Sequence, residues 1–140
     1  MTVVVDASVA VKWFVKEVAR EQALEVLDEP ERHAPDLIIA EAGNIAWKKA
    51  MRGEVTGEQA RFVCASLRRY FAVLHRSETL ADRAIEFALR LRHPIYDCLY
   101  LACAQRTGAR LVTADRRLLT AVDRTELASL AVHVDDFKPQ

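Results

Sequence analysis

Two acidic residues directly follow apolar runs that read as buried strands. Asp6 follows residues 3–5, which are all valine, and Asp115 lies just past residues 111–113. An unpaired carboxylate in apolar surroundings costs several kcal/mol and normally shifts its pKa or finds a cation. In open α/β sheets, ligands bind at the carboxyl ends of the strands. Asp6 and Asp115 are therefore candidate site residues.

Two further acids lie within apolar helical patterns. Asp97 is surrounded in sequence by isoleucine, tyrosine, cysteine and leucine, so we expect it to have no solvated face and to need a partner. Glu41 has Leu37, Ile38 and Ile45 about one helical turn away, which predicts that it points toward the core. Both residues join Asp6 and Asp115 as candidates for a shared site.

Four carboxylates without histidine or thiolate partners are the donor set of a hard divalent cation, Mg²⁺ or Mn²⁺, rather than zinc. They come from four separate elements, so they converge only if the fold brings them together. Such a site performs metal-assisted chemistry. The sequence contains no glycine-rich phosphate loop or serine-nucleophile motif, and its four histidines have no ligand spacing.

Each acid also has a structural alternative, which the sequence leaves open. Asp6 and Asp115 could cap the helices that follow them. Asp97 could pair with an arginine or cap its own helix, and Glu41 could pair with Lys48 or Lys49.

Three neighbouring polar residues are candidates for orienting a substrate. Ser8 and Thr113 each lie two residues from a key acid, where they could hold a water molecule, a phosphate oxygen or a local backbone group. Arg116, together with Arg117, is the cation closest in sequence to the acids and could contact a flanking phosphate.

The hydrophobic pattern predicts short strands that alternate with helices. The expected strands are residues 2–5, 72–75, 110–113 and 131–134. The expected helices are residues 7–15, 18–27, 37–52, 57–71, 95–106 and 116–122, together with a long helix that Ser77 caps and that ends before Pro94. Val18, Leu24 and Leu27 are expected to face the core, and Asp36 and Thr56 are further helix caps. This alternation predicts an α/β sandwich with a mainly parallel sheet.

Length and composition predict one globular domain over residues 1–140. The chain is 51% hydrophobic and 29% charged, a balance that supports a packed core and excludes disordered classes. Its longest apolar run, residues 98–104, is far shorter than the ~20 residues of a membrane helix. We expect a cytoplasmic protein whose three cysteines are reduced and buried.

The positive charges are concentrated in the middle of the chain. The formal net charge is zero, but residues 48–92 carry ten basic and five acidic side chains. An arginine-rich segment suits phosphate contacts, although coding bias produces the same composition without any function.

Four sequence blocks together resemble a known family. They are VVDASVAVKWF (residues 4–14), LIIAEAGN (37–44), IYDCLYLACA (95–104) and LVTADRRL (111–118). In this order and at this length they resemble the PIN-domain ribonucleases, specifically the VapC-like toxins of toxin–antitoxin pairs.

The resemblance implies a three-layer α/β/α fold with a parallel sheet, often in a homodimer. It implies that Asp6, Glu41, Asp97 and Asp115 bind Mg²⁺ or Mn²⁺ and cleave single-stranded RNA, with Asp115 the most variable of the four. It also implies a small antitoxin that inhibits the nuclease.

Two other functions fit the same fold. One is a PIN-like RNA-binding or scaffolding module without significant nuclease activity. The presence of all four acids argues against this alternative. The other is a phosphoacceptor or phosphatase domain, which is disfavoured because Asp6 is followed by Ala7 and Ser8 rather than by a second acid.

Overall fold

The computed structural model describes residues 1–140, and a sheet of five parallel strands forms its centre. The strands are β1 (Thr2–Val5), β2 (Glu31–Pro35), β3 (Val73–His75), β4 (Arg110–Thr113) and β5 (Ala131–His133). Their order across the sheet is β3-β2-β1-β4-β5, with Val4 of β1 paired to His33 of β2 on one side and to Leu111 of β4 on the other. The predicted parallel α/β class is confirmed.

Seven α-helices connect the strands. They are α1 (Ala7–Ala10), α2 (Arg20–Glu25), α3 (Ile38–Met51), α4 (Gly57–Ser66), α5 (Ser77–Leu91), α6 (Ile95–Thr107) and α7 (Arg116–Val122). Helix α3 packs on α1 and α4, whereas α5 and α6 pack on each other. Right-handed crossovers place α1 to α4 on one face of the sheet and α5 to α7 on the other, which gives three layers.

The order in which the chain adds strands to the sheet reverses between β1 and β4, although the two strands are parallel. From β1 the chain proceeds to β2 and β3 on one side, and from β4 it proceeds to β5 on the other. The carboxyl ends of two such neighbouring strands diverge into helices on opposite faces and leave a crevice, the usual ligand site of open α/β sheets. Asp6 and Asp115 follow these two strands.

Strand β2 was not predicted from the sequence. Its residues are mostly polar, follow Pro30 and end at Pro35, so the segment reads as a break between helices. In the fold the strand pairs with β1 and β3, and the Arg32 guanidinium donates to the carbonyl oxygens of Leu27 at 3.0 Å and Tyr70 at 2.8 Å. Tertiary contacts, not hydrophobic pattern, define this strand.

Several predicted helix details are wrong. Val18 is 86% exposed rather than in the core, and Leu24 is also exposed. Asp36 does not cap α3 and Ser77 does not cap α5 as predicted; instead, the Asp36 carboxylate accepts a hydrogen bond from the backbone N–H of Ser77, the first residue of α5, at 3.1 Å. Thr56 does form the expected capping box with Gln59.

The core surrounds strand β1, of which Val4 and Val5 are fully buried. All three cysteines are free, as expected, but Cys64 is exposed and only Cys98 and Cys103 are buried. None of the helices is long and apolar enough to cross a bilayer.

A half-buried ion-pair network ties the segment after α1 to α3. The Glu17 carboxylate accepts a hydrogen bond from Lys12 at 3.2 Å and another from Lys49, and the lysine side chains are 12% and 14% exposed. Burial acts to raise the pKa of Glu17, but the two ammonium groups outweigh it and the pKa is lowered. This network helps to fix α1 relative to α3.

Glu17→Gln is expected to lower the free energy of unfolding by about 1–3 kcal/mol at pH 7, because two half-buried ammonium groups lose their anionic partner. Since the folded-state pKa of Glu17 is lowered, its contribution is present above pH ~4 and is lost as pH falls further. Urea denaturation measures the difference. The exposed control Glu21→Gln should change stability by less than about 0.5 kcal/mol; equal effects of the two variants would exclude this role for Glu17.

Candidate active site

Asp6 lies at the end of β1 and is bonded on both oxygens. Its Oδ1 accepts hydrogen bonds from the Ser8 hydroxyl at 2.5 Å and from the backbone N–H of Val9 at 3.2 Å, and its Oδ2 accepts one from the Thr113 hydroxyl. The residue is 5% exposed. Asp6 is therefore both the cap of α1 and a carboxylate at the strand end, and the two roles coexist.

Burial dominates the electrostatics of Asp6. Desolvation raises the pKa of Asp6 to about 7, against the hydrogen bonds from Ser8, Thr113 and Val9, which favour the charged form. The charge of Asp97 contributes to this rise in pKa. No lysine or arginine pairs with Asp6, so its charge is uncompensated within the chain.

Glu41 lies in the first turn of α3 and accepts a hydrogen bond from the hydroxyl of Tyr100 at 2.6 Å. Burial raises the pKa of Glu41 and the charge of Asp97 adds to the rise, whereas the Tyr100 bond opposes it. The alternative pairing with Lys49 is not formed, because Lys49 binds Glu17. Glu41 is thus oriented by a neutral donor.

Asp97 lies in the first turn of α6, where its partner is His93. The imidazole Nε2 lies 2.6 Å from Oδ2 of Asp97, and no arginine pairs with it. The expectation of no solvated face is wrong, since the side chain is 25% exposed where the helix begins. Burial raises the pKa of Asp97, and the charge of Asp115 raises it too, against the effect of His93.

Asp115 caps α7 and completes the set. Its Oδ1 accepts from the backbone N–H groups of Arg117 at 2.9 Å and Leu118 at 3.4 Å. The loop before it is held to Asp6 by two hydroxyl groups: Ser8 accepts from the N–H of Ala114 at 3.1 Å, and Thr113 accepts from the N–H of Asp115 at 3.0 Å. Ser8 and Thr113 therefore couple the ends of β1 and β4.

All four acids line one cavity of about 220 Å³. Its complete lining is Asp6, Ala7, Ser8, Glu41, Asn44, Ile45, Asp97, Tyr100 and Asp115. The lining contains no basic side chain. Arg116 lies outside it, is largely exposed and has its guanidinium 3.7 Å from the carboxylate of Asp135.

Sequence reasoning missed three residues of this site. His93 precedes Asp97 by one helical turn, a spacing that signals contact but that Pro94 obscures. Tyr100 is a buried phenol in an apolar helix, and such a hydroxyl normally has a hydrogen-bond partner. Asn44, one turn after Glu41, gave no signal of its own.

The donor chemistry of the cavity fits a hard divalent cation. Its charged groups are all carboxylates, they repel one another, and burial raises the pKa of Asp6, Glu41 and Asp97, so positive charge is what the cavity lacks. In the arrangement described, each acid is held by its own partners, and no group of three forms a ready-made ligand set for one ion. Mg²⁺ is commonly bound through one or two carboxylates, with water completing its coordination.

The sequence matches the PIN domain family over residues 3–124. The chain belongs to the PIN-domain family, and the resemblance carried by the four sequence blocks is confirmed. Ribonuclease VapC3 of Pyrobaculum aerophilum is 36% identical over 124 residues, which span 84% of this chain and 92% of that protein. Ribonuclease VapC1 of Mycobacterium tuberculosis is 34% identical over 98 residues, 69% of this chain and 71% of the relative. These relatives support a nuclease of the VapC toxin class.

Solved structures share the fold. PAE2754 of Pyrobaculum aerophilum superposes with a TM-score of 0.70 at 27% identity, covering 96% of this chain and 90% of the other. A chain of a toxin–antitoxin complex from Klebsiella pneumoniae gives a TM-score of 0.69 at 18% identity, covering 94% and 97%. Both comparisons support the three-layer arrangement.

Proposed function

We propose that this protein is a Mg²⁺- or Mn²⁺-dependent endoribonuclease that cleaves single-stranded RNA, with Asp6, Glu41, Asp97 and Asp115 as its catalytic and metal-binding residues. The observation that carries the proposal is the cavity at the β1–β4 crevice, whose lining contains four acidic side chains and no basic one. Nuclease activity also agrees with the names of the VapC relatives. The protein is expected to act in the cytoplasm, where its RNA substrate is found.

The chain supplies oxygen ligands and holds them in place. A divalent cation bound there polarises the scissile phosphate and lowers the pKa of bound water. Ser8 and Thr113 orient Asp6, Tyr100 orients Glu41, and His93 orients Asp97. Such supporting bonds fix the direction of ligand lone pairs.

The same charges explain why the reaction needs a cation. Without it, the phosphate of RNA meets carboxylates and no compensating side chain in the cavity. A divalent ion held by Asp6, Glu41, Asp97 and Asp115 would offset this repulsion. The Ser8 hydroxyl donates a hydrogen bond to Asp6 and accepts one from the N–H of Ala114, which gives it a structural role, and the proposal assigns the attack on the phosphate to water rather than to a side chain.

The purified protein is expected to cut a single-stranded RNA oligomer with Mn²⁺ or Mg²⁺ and to stop on addition of EDTA. Electrophoresis of end-labelled RNA, with mapping of the new ends, measures this directly. A double-stranded RNA of the same sequence should be cut slowly. Cleavage that persists in EDTA at the same rate would contradict the metal-dependent mechanism.

We further propose a homodimer that binds a small inhibitory antitoxin. The uncompensated carboxylates favour an inhibitor that places a basic side chain in the cavity as a substitute for metal. Co-expression with the product of the neighbouring gene, followed by sedimentation, tests this. A monomer with no co-purifying small protein would contradict it.

A further inference from the structure

The ring of Tyr96 lies free at the start of α6. It is 58% exposed, stacks on no other aromatic ring, and its hydroxyl forms no hydrogen bond within the chain. The similarly exposed Phe62 packs edge-on against Phe14, with ring centroids 6.0 Å apart. Trp47, also exposed, lines an apolar groove between α3 and α4. Tyr96 therefore differs from Phe62 in having no aromatic partner, and from Trp47 in lying next to a residue of the acidic cavity.

Its position relates Tyr96 to the acidic cavity. Tyr96 directly precedes Asp97 and lies one helical turn before Tyr100, and both of those residues line the cavity. Residues four apart on a helix share a face, so Tyr96 continues the line of Tyr100 outward. Tyr100 is 1% exposed and Tyr96 is 58% exposed. Tyr96 itself is not part of the lining, so it lies beside the cavity, and the surface at this place is called the rim.

The backbone that carries Tyr96 is fixed on both sides. Pro94 precedes the first helical residue, and the bond between His93 and Asp97 at 2.6 Å closes the turn around Tyr96. A ring on a rigid turn loses little conformational entropy when it binds a ligand. The backbone of Tyr96 is thus preorganised, and its ring is free to present a face to a ligand.

Electrostatics limits what can hold a nucleic acid at this rim. The cavity lining contributes four acidic side chains and no basic one, so contacts to phosphate from the cavity itself are unfavourable. Aromatic rings bind nucleobases through stacking, which requires no charge and tolerates any base. The neutral ring at the rim is therefore suited to hold a base while the acids act on the adjoining phosphate.

We propose that Tyr96 stacks on the unpaired base next to the scissile phosphate of a single-stranded RNA. The inference rests on the proposed nuclease function and adds a binding residue to it. Bases in a duplex are already stacked on their neighbours, so this contact selects single strands. It positions substrate and takes no part in bond breaking.

Steady-state cleavage of an RNA oligomer separates the roles. Tyr96→Ala is expected to raise KM about tenfold and to change kcat less than about twofold, while Tyr96→Phe restores the wild-type KM because it keeps the ring. Phe62→Ala, which removes a similarly exposed ring on α4 that is not part of the cavity lining, should leave both constants unchanged. The rise in KM should be the same at low and high salt, since no phosphate contact is lost.

A scan with abasic nucleotides identifies the stacked base. In wild type, removing one base beside the cleavage site is expected to raise KM about as much as Tyr96→Ala does. In Tyr96→Ala the same abasic substitution should have no further effect, because the two changes remove one contact. Full additivity at every position would overturn the proposal.

The proposal and the nuclease function fail differently. A wild type that cleaves RNA, with Tyr96→Ala equal to it in KM, overturns the stacking role alone. A loss of kcat rather than KM, or a KM that Tyr96→Phe does not restore, also overturns it. If wild type cleaves no RNA, the nuclease function fails. In that case, the dissociation constants of labelled intact and abasic oligomers are measured in EDTA with wild type and with Tyr96→Ala. The stacking role predicts that the two changes are not additive, and full additivity overturns it.

Discussion

Asp97→Asn is expected to reduce RNA cleavage at least about a hundredfold while leaving the metal-free protein as stable as wild type or more stable. Loss of a residue that merely supports a metal ligand costs roughly 10–100-fold, so loss of a ligand costs at least the upper value. The substitution keeps the shape, and the amide oxygen of asparagine still accepts from His93. The change therefore removes charge with little loss of packing.

The gain in stability comes from removing repulsion. The charge of Asp97 raises the pKa of Asp6 and Glu41, and Asp115 raises that of Asp97. Relief of this repulsion should stabilise the metal-free protein by about 1 kcal/mol, or roughly 3–5 °C in Tm. Metal at ten times its Kd should stabilise wild type by about 1.4 kcal/mol, and most of this shift should disappear in the variant.

Thermal melts of the two proteins, with EDTA and with Mn²⁺, measure both effects. Asp82→Asn removes an exposed acid of α5 and serves as the control that changes net charge equally. A variant that melts well below wild type, combined with a wild type insensitive to metal, would assign Asp97 a structural role as the partner of His93.

The second large effect concerns the pH dependence of stability. In EDTA, the stability of wild type relative to Asp6→Asn is expected to fall as pH rises from about 4 to about 7. Burial raises the pKa of Asp6 from 3.8 to about 7, so the folded state keeps a proton that the unfolded state has released. Raising pH in this window therefore favours unfolding, by up to about 4 kcal/mol in total.

Urea denaturation of the two proteins at several pH values gives this difference directly. Asparagine has no titrating group and caps a helix as well as aspartate does, so the comparison isolates the Asp6 carboxyl group. Mn²⁺ should flatten the curve, because a bound cation favours the ionised form. A constant stability difference across this pH range would show that Asp6 is not a strongly desolvated acid.

The sequence identified those site residues whose immediate neighbours in the chain are enough to mark them as unusual. Asp6 and Asp115 follow β1 and β4, and the rule that ligands bind at strand ends places them together without knowledge of the strand order. Glu41 was identified because a carboxylate among leucine and isoleucine is costly. In each case the signal was a carboxylate within or directly after a run of apolar residues, where its charge is costly.

Other features depend on contacts that are distant in sequence. The pairing of Tyr100 with Glu41 joins α6 to α3, and the coupling of Thr113 to Asp6 joins β4 to β1. Strand β2 pairs with β3, and its Arg32 donates to the carbonyl oxygen of Tyr70, 38 residues later in the chain. The exposure of Asp97 was mispredicted because helical periodicity does not show that the first turn of α6 opens into a cavity.

Mn²⁺ binding followed by electron paramagnetic resonance tests most directly whether the four acids form a metal site. Wild type is expected to bind Mn²⁺ saturably at neutral pH. Asp6→Asn, Glu41→Gln and Asp97→Asn should each weaken binding at least about tenfold, whereas Glu21→Gln should bind as wild type does. A wild type that binds no Mn²⁺, or three site variants that bind it as tightly as wild type, would contradict the metal-dependent nuclease.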